Sequence, residues 1–133
     1  LDPRDGSVTG TARPDVLTGN NAYNDTISAL AGDDTVDGQA GNDLILLGDG
    51  SDMAFGGDGN DWIEGGNASD WIVAGAGEDL TYGGAGDDVM SGAAGRDWMV
   101  GNAGNDAIWG GDDADVLSGG AGDDYILGEA APD

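Results

Sequence analysis

Apolar residues recur along this chain at nine-residue intervals, apart from one interval of ten, and glycine- and aspartate-rich segments separate them. The residues on either side of each apolar position alternate away from it, as the period-two side-chain direction of a β-strand requires. We therefore predict three-residue strands whose central side chain points inward. The central positions are Leu17, Ile27, Val36, Ile45, Ala54, Ile63, Ile72, Thr81, Met90, Met99, Ile108, Leu117 and Ile126.

Aspartate recurs with the same period, two residues before each predicted strand centre. The series is Asp25, Asp34, Asp43, Asp52, Asp61, Asp70, Asp79, Asp88, Asp97, Asp106, Asp115, Asp124 and Asp133, and Asp15 precedes it by ten residues. A fixed short period is the signature of a repeat architecture. The six residues that lead to and include each aspartate are too rich in glycine for helix or strand, so we expect them to form turns.

With the aspartate at position six, the nonapeptide Gly56–Glu64 has the sequence GGDGNDWIE. This pattern resembles the G-G-x-G-x-D-x-U-x repeat of RTX proteins, in which U is a large apolar residue, and the resemblance extends from about Gly10 to the end. It implies an all-β fold: a right-handed parallel β-roll, stabilised by calcium, with two short-stranded parallel sheets and 18 residues per coil. We expect residues 1–9 to be a leader or linker, and residues 10–133 to be one roll within a longer protein.

Composition and charge restrict the partners of this chain. It has 28 glycines, 27 acidic residues, three basic residues and no histidine or cysteine, for a formal net charge of −24. With so few basic residues, nucleic acid and anionic membranes are disfavoured, and no apolar run is long enough for membrane insertion. Thiolate and imidazole metal ligands are absent, so the remaining oxygen ligands favour a hard cation.

Stacked coils would align the aspartates in two columns, where their mutual repulsion demands a counter-ion. Ca²⁺ between consecutive turns fits, because it accepts six to eight carboxylate and carbonyl oxygens in flexible geometry, whereas Mg²⁺ demands a tighter octahedron. Turn preference alone would also tolerate Asn or Ser at position six, where this chain has Asp throughout. The candidate ligands for multiple calcium ions are Asp25, Asp34, Asp43, Asp52, Asp61, Asp70, Asp79, Asp88, Asp97, Asp106, Asp115 and Asp124, with Gly41, Gly57, Gly59, Gly84, Gly86, Gly120 and Gly122 in the turns.

Several turns depart from glycine at position four. The residues that stand there instead are Arg13, Tyr23, Ala68, Asp113 and, in the last unit, Ala131. We expect weaker sites at those turns. The turns that keep the glycine and make the best candidates are those of Asp43, Asp61, Asp88, Asp106 and Asp124.

Most aromatic residues occupy the outward positions seven and nine. They form a possible interface that consists of Phe55, Trp62, Trp71, Tyr82, Trp98, Trp109 and Tyr125. Aromatic residues suit strands wherever they point, and cross-strand pairs add a few tenths of a kcal/mol each. A contiguous apolar stripe is nevertheless larger than soluble monomers usually expose. We therefore hypothesise a protein partner or self-association through the sheet faces.

Catalysis has little support in the residues. The chain lacks His, Cys and Lys, so a nucleophilic triad is excluded, and its paired carboxylates fall in the expected metal-binding turns. We expect no enzymatic activity here; any would lie outside this chain. The resemblance implies a secreted module, exported by type I secretion, that folds when it meets extracellular calcium.

Two alternatives remain for the function. The first is a self-assembling component of a surface layer, filament or adhesin, which the apolar sheet faces would favour. The second, more remote, is an ice-binding solenoid, which requires regular outward rows of Thr or Asx. Position three instead holds mostly Ala or Asp.

Overall fold

The computed structural model of the chain describes residues 6–21 and 23–128. These residues form fourteen strands in two seven-stranded parallel sheets, and they contain no helix. The first sheet consists of β1 Gly6–Thr9, β3 Asp25–Ala31, β5 Leu44–Asp49, β7 Trp62–Asn67, β9 Leu80–Ala85, β11 Trp98–Ala103 and β13 Val116–Ala121. The second sheet consists of β2 Val16–Thr18, β4 Thr35–Asp37, β6 Met53–Asp58, β8 Trp71–Ala76, β10 Val89–Ala94, β12 Ala107–Asp112 and β14 Tyr125–Leu127.

The chain alternates between the sheets, so each coil contributes one strand to each. Within the first sheet, Ile45 lies beside Ile63 and Ile63 beside Thr81, a register of 18 residues per coil. The other strand pairs from β3 onward in the first sheet and from β4 onward in the second keep the same register. The predicted all-β solenoid of two parallel sheets with 18-residue coils is therefore confirmed.

The core consists of the inward side chains of both sheets, and most of them are apolar. Position eight is fully buried from Ile27 to Ile108, as the alternation predicted. The burial weakens in the last strands, where Leu117 is half-buried and Ile126 is 43% exposed. Because each strand contacts the coils on either side, the core is continuous along the solenoid.

The prediction of three-residue strands and six-residue turns is wrong in one respect. Most strands span six residues and continue through positions one to three of the next repeat, as in β7. Position one points inward as a result, and Ala29, Leu47 and Ala74 join the core there. The chain bends at position two yet keeps its ladder, since Gly48 still pairs with Gly66. The turns proper are therefore confined to positions four to six.

Positive φ angles at positions two and four produce this bend. Glycine occupies most of these positions, but Ala93 at position two has φ of 81°, and Ala68 and Asp113 at position four have φ of 75° and 77°. Ala68 and Asp113, two of the departures at position four, thus keep the turn conformation of the glycines, at a cost in strain. Stacking adds a second demand, because a Cβ on Gly59 would overlap the carbonyl oxygen of Gly41 in the preceding coil.

The solenoid begins earlier than the expected boundary at Gly10. Strand β1 pairs with β3, with Gly6 opposite Asp25 and Val8 opposite Ile27. Residues Gly6–Thr9 therefore belong to the first sheet, and not to a linker. Residues 1–5 and the last predicted aspartate, Asp133, lie outside the described residues. Within the described part of the chain, no helix is long and apolar enough to cross a membrane.

Candidate metal centre

Two columns of aspartates line the edges of the solenoid. Each aspartate stands at position six, one residue before the first outward side chain of a strand. The first-edge column, at turns that lead into the first sheet, is Asp25, Asp43, Asp61, Asp79, Asp97 and Asp115. The second-edge column, at turns that lead into the second sheet, is Asp15, Asp34, Asp52, Asp70, Asp88, Asp106 and Asp124. From Asp25 to Asp106 these residues are at most 3% exposed. Buried carboxylates of this kind need partners.

From Asp34 onward, one oxygen of each carboxylate has such a partner in the preceding coil. The Asp43 amide donates to Asp61 Oδ1 at 2.8 Å, and the Asp61 amide donates to Asp79 Oδ1 at 2.8 Å. The same bond recurs along both columns with a separation of 18 residues. The aspartate at position six therefore joins adjacent coils by itself, because its short side chain reaches one strand spacing back along the stack.

The second oxygen has no such partner. Among the described residues, the buried carboxylate oxygens without a hydrogen bond are Asp25 Oδ1 and the Oδ2 atoms of Asp34, Asp43, Asp52, Asp61, Asp70, Asp79, Asp88, Asp97, Asp106 and Asp115. An unpaired charge in such a position costs several kcal/mol in order-of-magnitude terms. Unpartnered carboxylate oxygens, repeated at every turn, are the groups that a hard cation such as Ca²⁺ binds.

The electrostatics of the columns agree with this need for a cation. Burial raises the pKa of Asp70 and of Asp79 to about 7, against the amide hydrogen bond from the preceding coil, and neighbouring aspartates in the column raise it further. Burial likewise raises the pKa of Asp61 and of Asp88 to about 6. Without a cation, the middle of each column therefore retains protons near neutral pH. Calcium would have to displace those protons.

Carboxylates alone do not complete a metal cage here. Within residues 6–21 and 23–128, no three acidic side chains converge on one point. The turn carbonyls must supply the remaining oxygens, and the two candidate positions differ. At position two, the Gln39 carbonyl accepts the Asp58 amide at 2.8 Å. The position-four carbonyls, such as that of Gly41, face the next coil and accept none of the inter-coil backbone hydrogen bonds of the described turns.

This difference divides the glycines that the sequence analysis selected. Gly41, Gly59, Gly86 and Gly122 stand at position four, where the carbonyls are free of backbone donors. Gly57, Gly84 and Gly120 stand at position two inside the strands, where the residues pair with adjacent coils. The position-four carbonyls are therefore better suited to ligate an ion. Ala68 and Asp113 present carbonyls from the same backbone conformation, so their turns retain this oxygen.

A second side-chain ladder, which the sequence analysis missed, lies outside the aspartate columns. At position five, the Asn42 amide donates to Asn24 Oδ1 at 2.8 Å and the Asn60 amide to Asn42 Oδ1 at 2.9 Å. On the other edge, the Asn105 amide donates to Asp87 Oδ1 at 2.8 Å. The recurrence of Asn, Asp and Ser at position five could have revealed this ladder. It supplies hydrogen-bond acceptors for the turn amides that face solvent.

In the two earliest turns, the Oδ2 atoms of Asp15 and Asp25 accept protein donors, whereas the Oδ2 atoms of the later described turns have none, and Asp25 Oδ1 remains without a partner. The amide and hydroxyl of Thr11 donate to Asp15 Oδ2 at 2.6 and 2.9 Å. The Asn20 amide donates to Asp25 Oδ2. The Asp15 amide still bonds Asp34 Oδ1 at 2.8 Å. The turn of Asp15 is therefore connected to the stack on one side and satisfied from within on the other.

The nonapeptide pattern extends over most of the chain. A sequence profile of the RTX calcium-binding nonapeptide repeat, which holds four copies, matches residues 20–54, 55–90 and 91–126. The chain belongs to this RTX repeat family. The resemblance noted from Gly56–Glu64 is thereby confirmed, and calcium binding is a property that the RTX family implies for this chain. No curated protein matches the sequence.

The donor set of this RTX chain fits the implied ion. The Oδ2 atoms of the columns would bind Ca²⁺ together with the position-four carbonyls, an all-oxygen set of the kind that calcium prefers. The ion would neutralise carboxylates whose pKa values burial raises, and it would replace the missing hydrogen-bond donors.

The aromatic residues lie on both outer faces of the RTX solenoid. Trp62 and Trp98 on the first sheet, and Trp71, Phe55 and Tyr125 on the second, are between 39% and 59% exposed. Tyr82 and Trp109 are half-buried and pack against neighbouring rings. The ring centroids of Trp62 and Tyr82 are 6.3 Å apart, and those of Trp109 and Tyr125 are 6.0 Å apart. The outward placement predicted for these residues is confirmed.

Proposed function

We propose that this chain is a calcium-dependent folding module of an extracellular bacterial protein, with the ions bound between consecutive turns along both edges. The observation that carries the proposal is the repeated buried carboxylate with one oxygen bonded to the preceding coil and the other without a donor. Without calcium, the columns place like charges one strand spacing apart, at about 4.8 Å. Calcium would convert this repulsion into cross-links between coils, so folding would require it.

Secretion is part of the same proposal. RTX repeats are typical of secreted bacterial proteins. A chain whose ordering depends on calcium would remain unfolded where the ion is scarce and fold where it is abundant. Export by type I secretion in the unfolded state is consistent with that behaviour.

A non-enzymatic role accompanies it. The acidic pairs of the chain, such as Asp87 and Asp88, divide between the outer ladder and the aspartate column, and they do not face each other across a cleft. From Asp34 to Asp124, each column carboxylate accepts an amide of the preceding coil, a structural use that supports the proposal. We place any catalytic activity in other parts of the parent protein.

The test is a calcium titration of EDTA-stripped protein, followed by far-UV circular dichroism, with magnesium as the control ion. We expect a cooperative transition from coil to β-structure in calcium and a much weaker response in magnesium. An undiminished β signal in EDTA, or equal responses to both ions, would show that the carboxylate columns do not need calcium.

A second candidate function is contact with a protein partner or a second copy through the face of the second sheet. Phe55, Trp71 and Tyr125 are exposed there, with Met53 beside them at 38% exposure. Calcium would also reduce the net charge of −24 that keeps copies apart. Sedimentation of the calcium-loaded protein tests this, with Trp71→Ser as the variant. Association that calcium does not promote, or that Trp71→Ser leaves unchanged, would contradict it.

A further inference from the structure

Two tryptophans stand in one column on the outer face of the first sheet. Trp62 pairs in register with Leu80, and Leu80 pairs with Trp98. The tryptophans are 46% and 54% exposed, whereas Leu80 between them is half-buried. Two strand spacings separate the backbones of Trp62 and Trp98, about 9.6 Å at 4.8 Å per strand. The face thus presents two raised aromatic rings with a lower apolar floor between them.

Each tryptophan has polar groups beside it. Trp62 Nε1 donates to Glu64 Oε1 at 3.1 Å, which directs the indole along its own strand over the sheet. Next to Trp98 lies a shallow depression, whose lining includes Leu80, Val116 and the ion pair of Arg96 with Glu78. Arg96 Nη2 lies 2.7 Å from Glu78 Oε1. Both rings therefore adjoin groups that can accept or donate further hydrogen bonds.

The charge of this face restricts the occupant. Among the position-seven and position-nine side chains of β5 to β13, Glu64 alone is charged, and the Glu78–Arg96 pair has no net charge. The acidic edges would repel an anion, and Glu64 is the single carboxylate that a cation would meet among these outward positions. A second copy would bring a broad sheet, which the two raised rings would hold away from the Leu80 floor. A narrow, neutral ligand fits better.

We propose that the first sheet binds a β-1,4-linked glucan chain, with Trp62 and Trp98 stacking against alternate sugar rings. Such a chain is a flat ribbon whose sugars present apolar C–H faces and place their hydroxyls at the ribbon edges. Its disaccharide repeat is close to the separation of two coils, so successive repeats meet the two tryptophans. Glu64 and the Glu78–Arg96 pair bond hydroxyls at the edges.

The test is a binding titration of the calcium-loaded protein, followed by tryptophan fluorescence and calorimetry. The ligands are cellohexaose, cellobiose, which is too short to reach both rings, and maltohexaose, whose α-linked chain is not flat. The variants are Trp62→Ala and Trp98→Ala. Trp71→Ala is the matched control, because Trp71 is 54% exposed like Trp98 but lies on the second sheet. Circular dichroism in calcium verifies that each variant folds.

We expect cellohexaose to bind, and each first-sheet variant to lower its affinity at least about tenfold through the lost stacking area. Cellobiose should bind at least about tenfold more weakly than cellohexaose, since it meets one ring only. Trp71→Ala should leave the affinity unchanged, and maltohexaose should not compete.

Four results would overturn the proposal. They are no binding of cellohexaose by the folded protein, equal loss in Trp71→Ala, equal binding of maltohexaose, and undiminished binding in a folded Trp98→Ala variant. A dimer that Trp62→Ala or Trp98→Ala converts to monomer would assign the face to a second copy instead. The calcium titration of the unmodified chain is independent of all these outcomes.

Discussion

Replacing Asp70 by asparagine should stabilise the calcium-free solenoid and destabilise the calcium-loaded one. Asp70 is 3% exposed, its Oδ1 accepts the Asp52 amide at 2.9 Å, and its Oδ2 has no hydrogen-bond partner. Asparagine keeps the shape of the side chain and the oxygen that accepts this bond. It removes the charge and one potential metal ligand. The substitution therefore separates the free-energy cost of burying the carboxylate from its contribution as a calcium ligand.

The structure sets the magnitude in the calcium-free state. Burial raises the pKa of Asp70 from 3.8 to about 7, a difference of about three units. At about 1.4 kcal/mol per unit, the ionised carboxylate costs the folded state about 4 kcal/mol above pH 7. The Asp70→Asn variant would be free of this cost, apart from the loss of any interaction that the amide group fails to make. We expect a gain of about 2 to 4 kcal/mol in the free energy of unfolding.

The sign reverses when calcium is present. An ion at a free concentration of one thousand times its dissociation constant stabilises the fold by about 4.1 kcal/mol, which exceeds the gain in the calcium-free state. The variant loses this contribution from any site that needs Asp70. Urea unfolding followed by circular dichroism measures both effects, at mildly alkaline pH. One series contains excess calcium, and the other contains EDTA with a stabilising osmolyte that favours the folded state.

The matched control is Asp87→Asn, since Asp87 is exposed at position five and its Oδ1 accepts the Asn105 amide, which asparagine also allows. We expect that variant to shift the urea midpoint little in either series. If Asp70→Asn shifts the midpoint in the same direction with and without calcium, calcium ligation by Asp70 does not offset the cost of burying its charge. That result would refute the reasoning.

Three further predictions concern pH, backbone strain and the core. In EDTA, the folded state binds more protons than the unfolded state between about pH 4 and pH 7, because burial raises the pKa of Asp70 and of Asp79 to about 7 from 3.8. In EDTA with the same stabilising osmolyte, the urea midpoint should therefore be highest near pH 4 and fall as pH rises through 7; a midpoint that rises over this range would contradict the sign. Ala93→Gly should raise the melting temperature in calcium, because it relieves about 1 kcal/mol of strain at φ of 81°. Ala94→Gly is the control and should not raise it, because Ala94 has no positive φ. Thr81→Val should stabilise by about 1 kcal/mol in urea unfolding, because the fully buried Thr81 Oγ1 has no hydrogen-bond partner, and an unchanged midpoint would imply a donor or acceptor at that site.

The nine-residue period predicted the inward residues and the spacing of the aspartates, and the RTX resemblance implied the 18-residue coil that places those aspartates in two columns. These follow from chain geometry, because residues at one position of a nonapeptide must align when coils of two repeats stack. Ile63 and Asp61 are examples, since both are buried where the pattern placed them. The direction of each carboxylate was not predictable, because the period does not say whether Asp61 bonds the coil before or after it.

The strand lengths and the start of the solenoid could not be predicted from the same pattern. Glycines at positions one to three indicate turns by propensity, yet neighbouring coils supply ladder bonds that keep Gly66 and its neighbours in β7. Leu47 stands at position one, where several other repeats have glycine, and the core accepts it because position one points inward. Strand β1 has no aspartate of the series, and it was recognisable only through its pairing with β3.

The hydrogen bonds within the turn of Asp15 are local, so they do not depend on the number of coils that follow. Thr11 donates to the carboxylate of Asp15, and the Asp15 amide donates to Asp34 Oδ1 in the next coil. Every later coil repeats the same bond toward the coil before it. A protein engineer could therefore duplicate the 18 residues 62–79 and lengthen the rod by one strand spacing, about 4.8 Å, per copy. The starting turn would remain unchanged, and the rod would serve as a molecular ruler graduated in single coils.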